Sequence, residues 1–364
     1  MNVLDPVYAA SLDAADTLAA FRSEFHLPVI DGKQTLYFTG NSLGLMPKAA
    51  ESYLNEELED WKNWGVEGHF HARRPWMPYH EFLTESMAKI MGAKPIEIVV
   101  MNTLTTNLHL LMVSFYNPTK KRHKILIESD AFPSDRYAVQ TQLEFHGYDT
   151  NECLIEWTPR TDEKLLRTED LEQILETQGE EIALLLIGGV NYYTGQYLDL
   201  KKIAALGHAK GCKVGIDLAH GAGNIQPELH DTGIDFAAWC TYKYLNAGPG
   251  SLGGVFVHER YAHDKTLKRF AGWWSQNKAT RFNMRQPLDI TPGAEGWQLS
   301  NPPILSMAAI KAALDLFNEV GMNKLREKSI KLTGYLEFLI KGLNHAQIEI
   351  ITPSDSNQRG CQLS

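Results

Sequence analysis

The stretch IALLLIGGVNYYTGQYLDLKKIAALGHAKGCKVGIDLAH, Ile182 to His220, decides the fold. IALLLIG, Ile182 to Gly188, is an unbroken apolar run, the pattern of a strand covered on both faces. A helix begins at Leu200 and is closed by Gly211, where only a residue tolerant of left-handed backbone ends a helix cheaply. KVGIDLAH then reads as a second strand that ends in an acid, Asp217. Strand, helix and strand in so short a span form a parallel unit, so the chain is of the α/β class.

The same order continues upstream. IEIVVMN is a strand, TLTTNLHLLMVSF a helix with Leu104, Leu108, Leu111 and Phe115 on one face, KILIESD a strand, and a further helix starts at Ser134. Before these, AAESYLNEELEDWKNWG carries Ala50, Leu54, Leu58 and Trp61 at helical spacing and stops at Gly65. From SNPPILS onward the pattern changes to two helices, Ile304 to Phe317 and a longer one through Leu343, followed by a strand IEIITP. The expected organisation is an N-terminal arm over 1–45, a large domain over 46–303 with a mostly parallel sheet between helices, and a smaller C-terminal α+β domain over 304–364 with which the arm associates. The closing RGCQLS reads as the start of another strand, so the small domain is expected to be incomplete.

Composition excludes several classes of function. Lys plus Arg number 35 and Asp plus Glu 44, a formal charge of -9, which offers nothing to a nucleic-acid backbone or an anionic membrane. The run Lys120-Lys121-Arg122 leads into an apolar strand and fits a solvated turn. The four cysteines, Cys153, Cys212, Cys240 and Cys361, stand singly without ligand spacing and read as reduced thiols. No basic-then-apolar leader opens the chain and no apolar run is long enough to span a bilayer. A cytoplasmic protein without nucleic-acid or membrane partners is the expectation.

Ligands of open α/β sheets sit beyond the carboxyl ends of the strands. Those ends carry Asn102 to Thr105, Asp130 to Asp135, Gly188 to Thr194, Asp217 to Gly221, and Tyr242-Lys243-Tyr244. A lysine between two aromatic rings loses hydration, which favours the neutral, nucleophilic amine and makes Lys243 a candidate Schiff-base former. For any lone lysine a snorkelling stem is the commoner explanation. Here Asp217 adds a carboxylate able to keep a pyridine nitrogen protonated, although a turn aspartate has the same local sequence. Leu104-Thr105 opens a helix whose free N–H groups suit a phosphate or a plain cap. Phe132 could stack on a flat ring.

Two patterns mislead. Gly248-Pro249-Gly250-Ser251-Leu252-Gly253 satisfies the dinucleotide fingerprint, but GVFVHE after it is a strand rather than the required helix. His69-Phe70-His71 has no third ligand at metal spacing, so no metal is expected.

Taken together, these residues resemble the kynureninases, pyridoxal 5'-phosphate enzymes of the aspartate-aminotransferase-like fold. The likeness runs nearly end to end through YFTGNSLGL, NTLTTNLHLL, FPSDRYA, NYYTGQ, DLAHGAGN, CTYKYLNAGPG and SNPPI. It implies fold type I with a seven-stranded sheet, Lys243 holding the cofactor as an aldimine, Asp217 at the pyridine nitrogen and Phe132 on the ring. Ser134, Asp135 and His220 would stand nearby, and Leu104, Thr105, Tyr242, Trp273 and Asn301 around the phosphate. Ser42 and His69 would border the substrate. A homodimer is implied, with Trp273 and Asn301 reaching in from the neighbouring subunit. The activity implied is hydrolytic cleavage of L-kynurenine or 3-hydroxy-L-kynurenine to anthranilate or 3-hydroxyanthranilate plus L-alanine, with Lys243 as base and Tyr242 as proton donor. His69 and Asn301 point to the 3-hydroxy substrate.

The chain departs from the family pattern in two places. Gly188 stands where some relatives carry a hydroxyl residue, and the arginine that takes the substrate carboxylate belongs to a stretch beyond Ser364, with Arg359 in a different motif. A cysteine desulfurase or aminotransferase would share Lys243 and Asp217, and a non-catalytic pyridoxal-binding relative would keep the site without turnover.

Overall fold

The apolar run from Ile182 lies inside a seven-stranded sheet, flanked by a strand on each side. The computed structural model describes residues 5–284 and 287–364. The strands of this sheet are β1 (Ile98–Met101), β2 (Lys124–Glu128), β3 (Leu154–Trp157), β4 (Ile182–Gly188), β5 (Lys213–Asp217), β6 (Phe236–Cys240) and β7 (Gly253–Val257). The order across the sheet is β1-β7-β6-β5-β4-β2-β3, and only β7 runs against its neighbours. Register brings Gly188 opposite Asp217 and Asp217 opposite Ala238, so the carboxyl ends of β4, β5 and β6 stand level.

The longer helices cover both faces. Here α1 is Ala49–Trp64, α2 Glu81–Met91, α3 Leu104–Phe115, α4 Pro133–Phe145, α5 Thr168–Gln178, α6 Leu200–Ala209, α7 Ile304–Val320 and α8 Met322–Gly342. One apolar cluster joins Leu185, Ile187, Val214, Ile216, Ala237 and Trp239 to α2, α5, α6 and α7. The other joins Leu184, Leu186, Phe236 and Ala238 to α3 and α4. Alternate residues of one strand thus feed opposite cores, as the period of two requires. Gly215 leaves room for the ring of Phe236, which lies 2.1 Å from where a Cβ would stand. Gly211 closes the turn after α6 with φ +77.

Several expectations change. β3, β6 and α5 were not legible as separate elements: LIEW is a short edge strand, and FAAWC has too many small residues to stand out from a helix segment. IEIITP forms no strand: its Ile351 N–H pairs with the carbonyl of Ser364, and among the described residues no second strand lies alongside to build a ladder. Helix α1 buries only part of the apolar stripe its spacing indicates: Ala50 is buried and Leu54 packs against the core. Leu58 and Trp61 are 45% and 61% exposed, while Glu57 and Asp60 are buried. Glu57 accepts from Arg74, Trp76 and Tyr79, and Asp60 from the N–H of Arg73, so a polar network outweighs the apolar stripe.

Met307, Ala308, Ile310 and Leu314 of α7 belong to the sheet's own core cluster. The N-terminal segment meets α8 through the Lys328–Asp16 ion pair and an edge contact of Tyr8 on Tyr335.

Candidate active site

The site is built where β2, β4, β5 and β6 end. The turn after β6 carries Lys243, whose Nζ lies 3.0 Å from Nε2 of His220 in the turn after β5. The same amine stands 5.7 Å from the ring centre of Phe132, at the N-terminus of α4. Tyr192 meets Phe132 edge-on at 5.2 Å and faces His220 at 6.3 Å. The Tyr244 hydroxyl lies 3.4 Å from Nδ1 of His220. The lysine is therefore set among rings drawn from four strand ends.

Below the rings are carboxyl groups. Asp217 is 8% exposed, and its Oδ1 accepts from the N–H of Ala219 at 2.7 Å. Asp135, buried in the first turn of α4, shares a hydrogen bond with Asp217; burial and then the charge of Asp217 hold its carboxyl well above the usual carboxylate range. A hydrogen bond between two carboxyl groups needs one proton between them. The Ser134 hydroxyl lies 3.4 Å from Asp135. Sequence reasoning missed a third acid, Glu128, the last residue of β2. It accepts from the N–H of Gly188 with both oxygens, and burial pushes its carboxyl up to about 7. An apolar strand ending in an acid was the available signal.

His220 is buried, and desolvation followed by the Lys243 charge lowers it to about 3, so the imidazole is neutral at ordinary pH. Burial, with Cys240 beneath it, raises the Tyr242 phenol to about 12. The Tyr242 carbonyl accepts from the N–H of Gly44 at 2.8 Å, and a Cβ at Gly44 would come 2.3 Å from the Lys243 carbonyl. The loop bearing Ser42 is thereby laid against the lysine turn. Leu104 and Thr105 begin α3, whose N-cap Thr103 makes no side-chain cap bond, so the first N–H groups of the helix stay open to a ligand.

Trp273, Asn301 and His69 are not joined to this cluster. Trp273 donates to the carbonyl of Arg281, lies against Phe282 and is 46% exposed. Asn301 is exposed, and its segment is tied to that of Trp273 by the Trp274 N–H donating to Leu299. His69 packs on Trp76, which with Trp61, Pro303 and Leu305 lines a groove of ≈ 360 Å³ beside the Asn301 segment. Arg359 is buried and paired with Glu337. Two His/Glu groupings lie elsewhere. The rings of His230 and His258 beside Glu97 stack at 28°, so their in-plane lone pairs do not converge on an ion. Glu81 and Glu295 beside His80 are already bridged by the Lys278 ammonium, 2.8 Å from each.

The aminotransferase class-V family model matches residues 37–362. The chain is 59% identical to a kynureninase of Myxococcus xanthus over 98% of its own length and 84% of that protein's. It is 55% identical to one of Koribacter versatilis, again over 98% and 84%. With a kynureninase of Nematostella vectensis it shares 45% identity over 100% of this chain and 83% of the other. Among solved structures, a mutant of the cystine lyase C-DES with glycine covalently linked to its pyridoxal-phosphate cofactor superposes with a TM-score of 0.74 at 19% identity, covering 88% of this chain and 81% of that one. The cysteine desulfurase CsdA of Escherichia coli gives 0.73 at 16%, covering 93% and 80%. These two show a shared fold.

Proposed function

The chain belongs to the class-V aminotransferase family and, within it, to the kynureninases, and from that membership we propose that the cluster around Lys243 hydrolyses the bond between the β and γ carbons of L-kynurenine or its 3-hydroxy form. The products are anthranilate, or 3-hydroxyanthranilate, and L-alanine. The observation that carries this reading is the amine of Lys243, held 3.0 Å from a neutral imidazole and over the Phe132 ring, with Asp217 buried at the end of the neighbouring strand β5.

The donor set fits pyridoxal 5'-phosphate. Lys243 offers the amine for its aldehyde, Asp217 a buried carboxylate for its ring nitrogen, and Phe132, 47% exposed, a face for its ring. Leu104 and Thr105 offer open N–H groups for its phosphate, with Tyr242 beside them, and Ser134, Asp135 and His220 complete the pocket wall. When bound, the cofactor supplies an electron sink for the charge left by the departing α-proton. Lys243, once free, takes that proton as base. Tyr242, whose phenol stays protonated up to about 12, returns a proton to the β carbon as the aromatic product leaves. Ser42 and His69 border the substrate, and His69 together with Asn301 favours the 3-hydroxy compound.

The working unit is a homodimer in which Trp273 and Asn301 serve the neighbouring subunit's site. In support, both are exposed on segments tied to each other and neither touches the cluster in its own chain, while Phe270, Trp61 and Phe38 lie 59%, 61% and 80% exposed. Apolar surface of that extent calls for a covering partner. The arm over 1–45 and the segment 304–364 form one small domain on this reading, supported by the Lys328–Asp16 pair, while α7 stays rooted in the core of the large one. Free cysteines agree with a cytoplasmic setting, and among the described residues no helix is long and apolar enough to cross a membrane. Incubation of the cofactor-loaded protein with L-kynurenine and with its 3-hydroxy form tests the function: fluorescent anthranilate or its hydroxy derivative with stoichiometric alanine supports it, and sulfide or keto-acid chemistry without either refutes it.

A further inference from the structure

Asn246 closes the turn that carries Lys243, its backbone N–H donating to the Lys243 carbonyl at 3.1 Å. Its backbone is left-handed, φ +58, a conformation free of steric cost for glycine and tolerated by asparagine and aspartate better than by other side chains. The turn alone would be served by a glycine; asparagine adds an amide. That amide reaches a segment 201 residues away, with Nδ2 3.0 Å from the Leu45 carbonyl. A carbonyl only accepts, so the NH2 end of the side chain is the end that faces it. The segment it reaches is a small closed unit. The N–H groups of Ser42 and Leu43 both donate to the Thr39 carbonyl, and the Tyr37 hydroxyl donates to the carbonyl of Leu43 at 2.7 Å. Ser42 is exposed on this unit.

Two bonds of opposite direction join the unit to the lysine turn. The Gly44 N–H donates to the Tyr242 carbonyl at 2.8 Å, and the Leu45 carbonyl accepts from Asn246. A single bond would let the unit pivot; two fix its angle. A Cβ on Gly44 would come 2.6 Å from Nδ2 of Asn246, so the bare glycine admits the amide. We propose that Asn246 is a positioning residue for the substrate: its side-chain amide, by holding Leu45, sets where Ser42 stands relative to Lys243. The inference rests on the reading that Ser42 borders the substrate. Cofactor attachment asks only for the lysine turn, which the backbone N–H of Asn246 closes, so a change confined to the side chain leaves that step alone.

Two variants test it. Asn246→Gly keeps the left-handed turn and removes the amide; Asn246→Asp keeps size and turn but sets a carboxylate against the Leu45 carbonyl. Both should bind pyridoxal phosphate with parent affinity and show the parent's absorbance. KM for L-kynurenine should rise about fivefold at little-changed kcat, the scale of one neutral hydrogen bond. A merely structural role would lower the unfolding temperature and leave KM where it was, so parent-like KM in either variant overturns the proposal. Hydrogen exchange of the cofactor-loaded protein, read by mass spectrometry on the peptide covering 37–46, needs no turnover. Exchange about tenfold faster in Asn246→Gly, with the peptide of α3 unchanged, is expected; equal exchange in variant and parent overturns the proposal. If the parent itself releases no anthranilate from kynurenine, the functional reading fails instead, and the exchange result still decides whether Asn246 holds the segment.

Discussion

Gly188 points its N–H at both carboxyl oxygens of Glu128, at 3.0 and 3.1 Å, so the acid at the end of β2 clamps the end of β4 beside Asp217. The bond fixes the level at which Gly188 faces Asp217 and places a third buried acid under the site. A Cβ at Gly188 would come 2.6 Å from the Oε1 of Glu128, so the clamp needs the glycine.

A pH dependence of stability follows from Glu128. Its carboxyl is raised from 4.5 to about 7 in the folded chain, chiefly by burial. A raised acid stabilises the fold fully below its unfolded value and loses that contribution as pH rises through the folded one. Urea unfolding of cofactor-free protein should weaken between about pH 4.5 and about pH 7, with Glu128 accounting for on the order of 3 kcal/mol. Glu128→Gln should show a shallower slope there, the remainder belonging to Asp135; an unchanged slope contradicts the assignment.

Phe132→Ala should weaken cofactor binding about tenfold, equivalent to roughly 1–2 kcal/mol for a lost ring face. The ring is 47% exposed, and its removal leaves the core intact. Fluorescence titration with pyridoxal phosphate measures the change, and parent-like affinity contradicts the stacking role.

Gly44→Ala should destabilise the chain by about 1–3 kcal/mol, because the new methyl meets the Lys243 carbonyl at 2.3 Å and one of the two segments has to move. Turnover should fall further than stability alone accounts for, since the moving segments carry Ser42 and Lys243. Thermal unfolding and kcat/KM on the same preparation separate the two effects.

A shared site makes subunits complement each other. Lys243→Ala and Trp273→Ala chains are each expected to be nearly inactive. Unfolded and refolded together in equal amounts, they should regain about a quarter of parent activity, since half the dimers are mixed and each mixed dimer holds one intact site. No recovery would mean that Trp273 acts within its own chain.

Much of this was legible from residue pattern because the site lies at the ends of apolar strands, where an acid or lysine after KVGI or after CTY has no packing reason to be there. Lys243 stands over the Phe132 ring, and Asp135 lies against Asp217. Glu128 escaped it, since nothing local distinguishes a strand-ending acid that reaches a neighbouring strand's N–H from one that reaches water. The burial of Glu57 on α1 escaped for a related reason: it is held by partners outside its own helix, and periodicity does not see them. IEIITP has strand composition without a partner strand, and pairing is not a local property.

The central claim is that the amine of Lys243 is where the cofactor attaches and where kynurenine is cleaved. Borohydride reduction of the loaded protein, followed by peptide mass spectrometry and a kynurenine assay before and after reduction, tests it most directly. The pyridoxyl mass should sit on the peptide containing Lys243, with anthranilate release abolished by reduction. A pyridoxyl group on any other lysine, or anthranilate formed as fast by Lys243→Ala as by the parent, would contradict it.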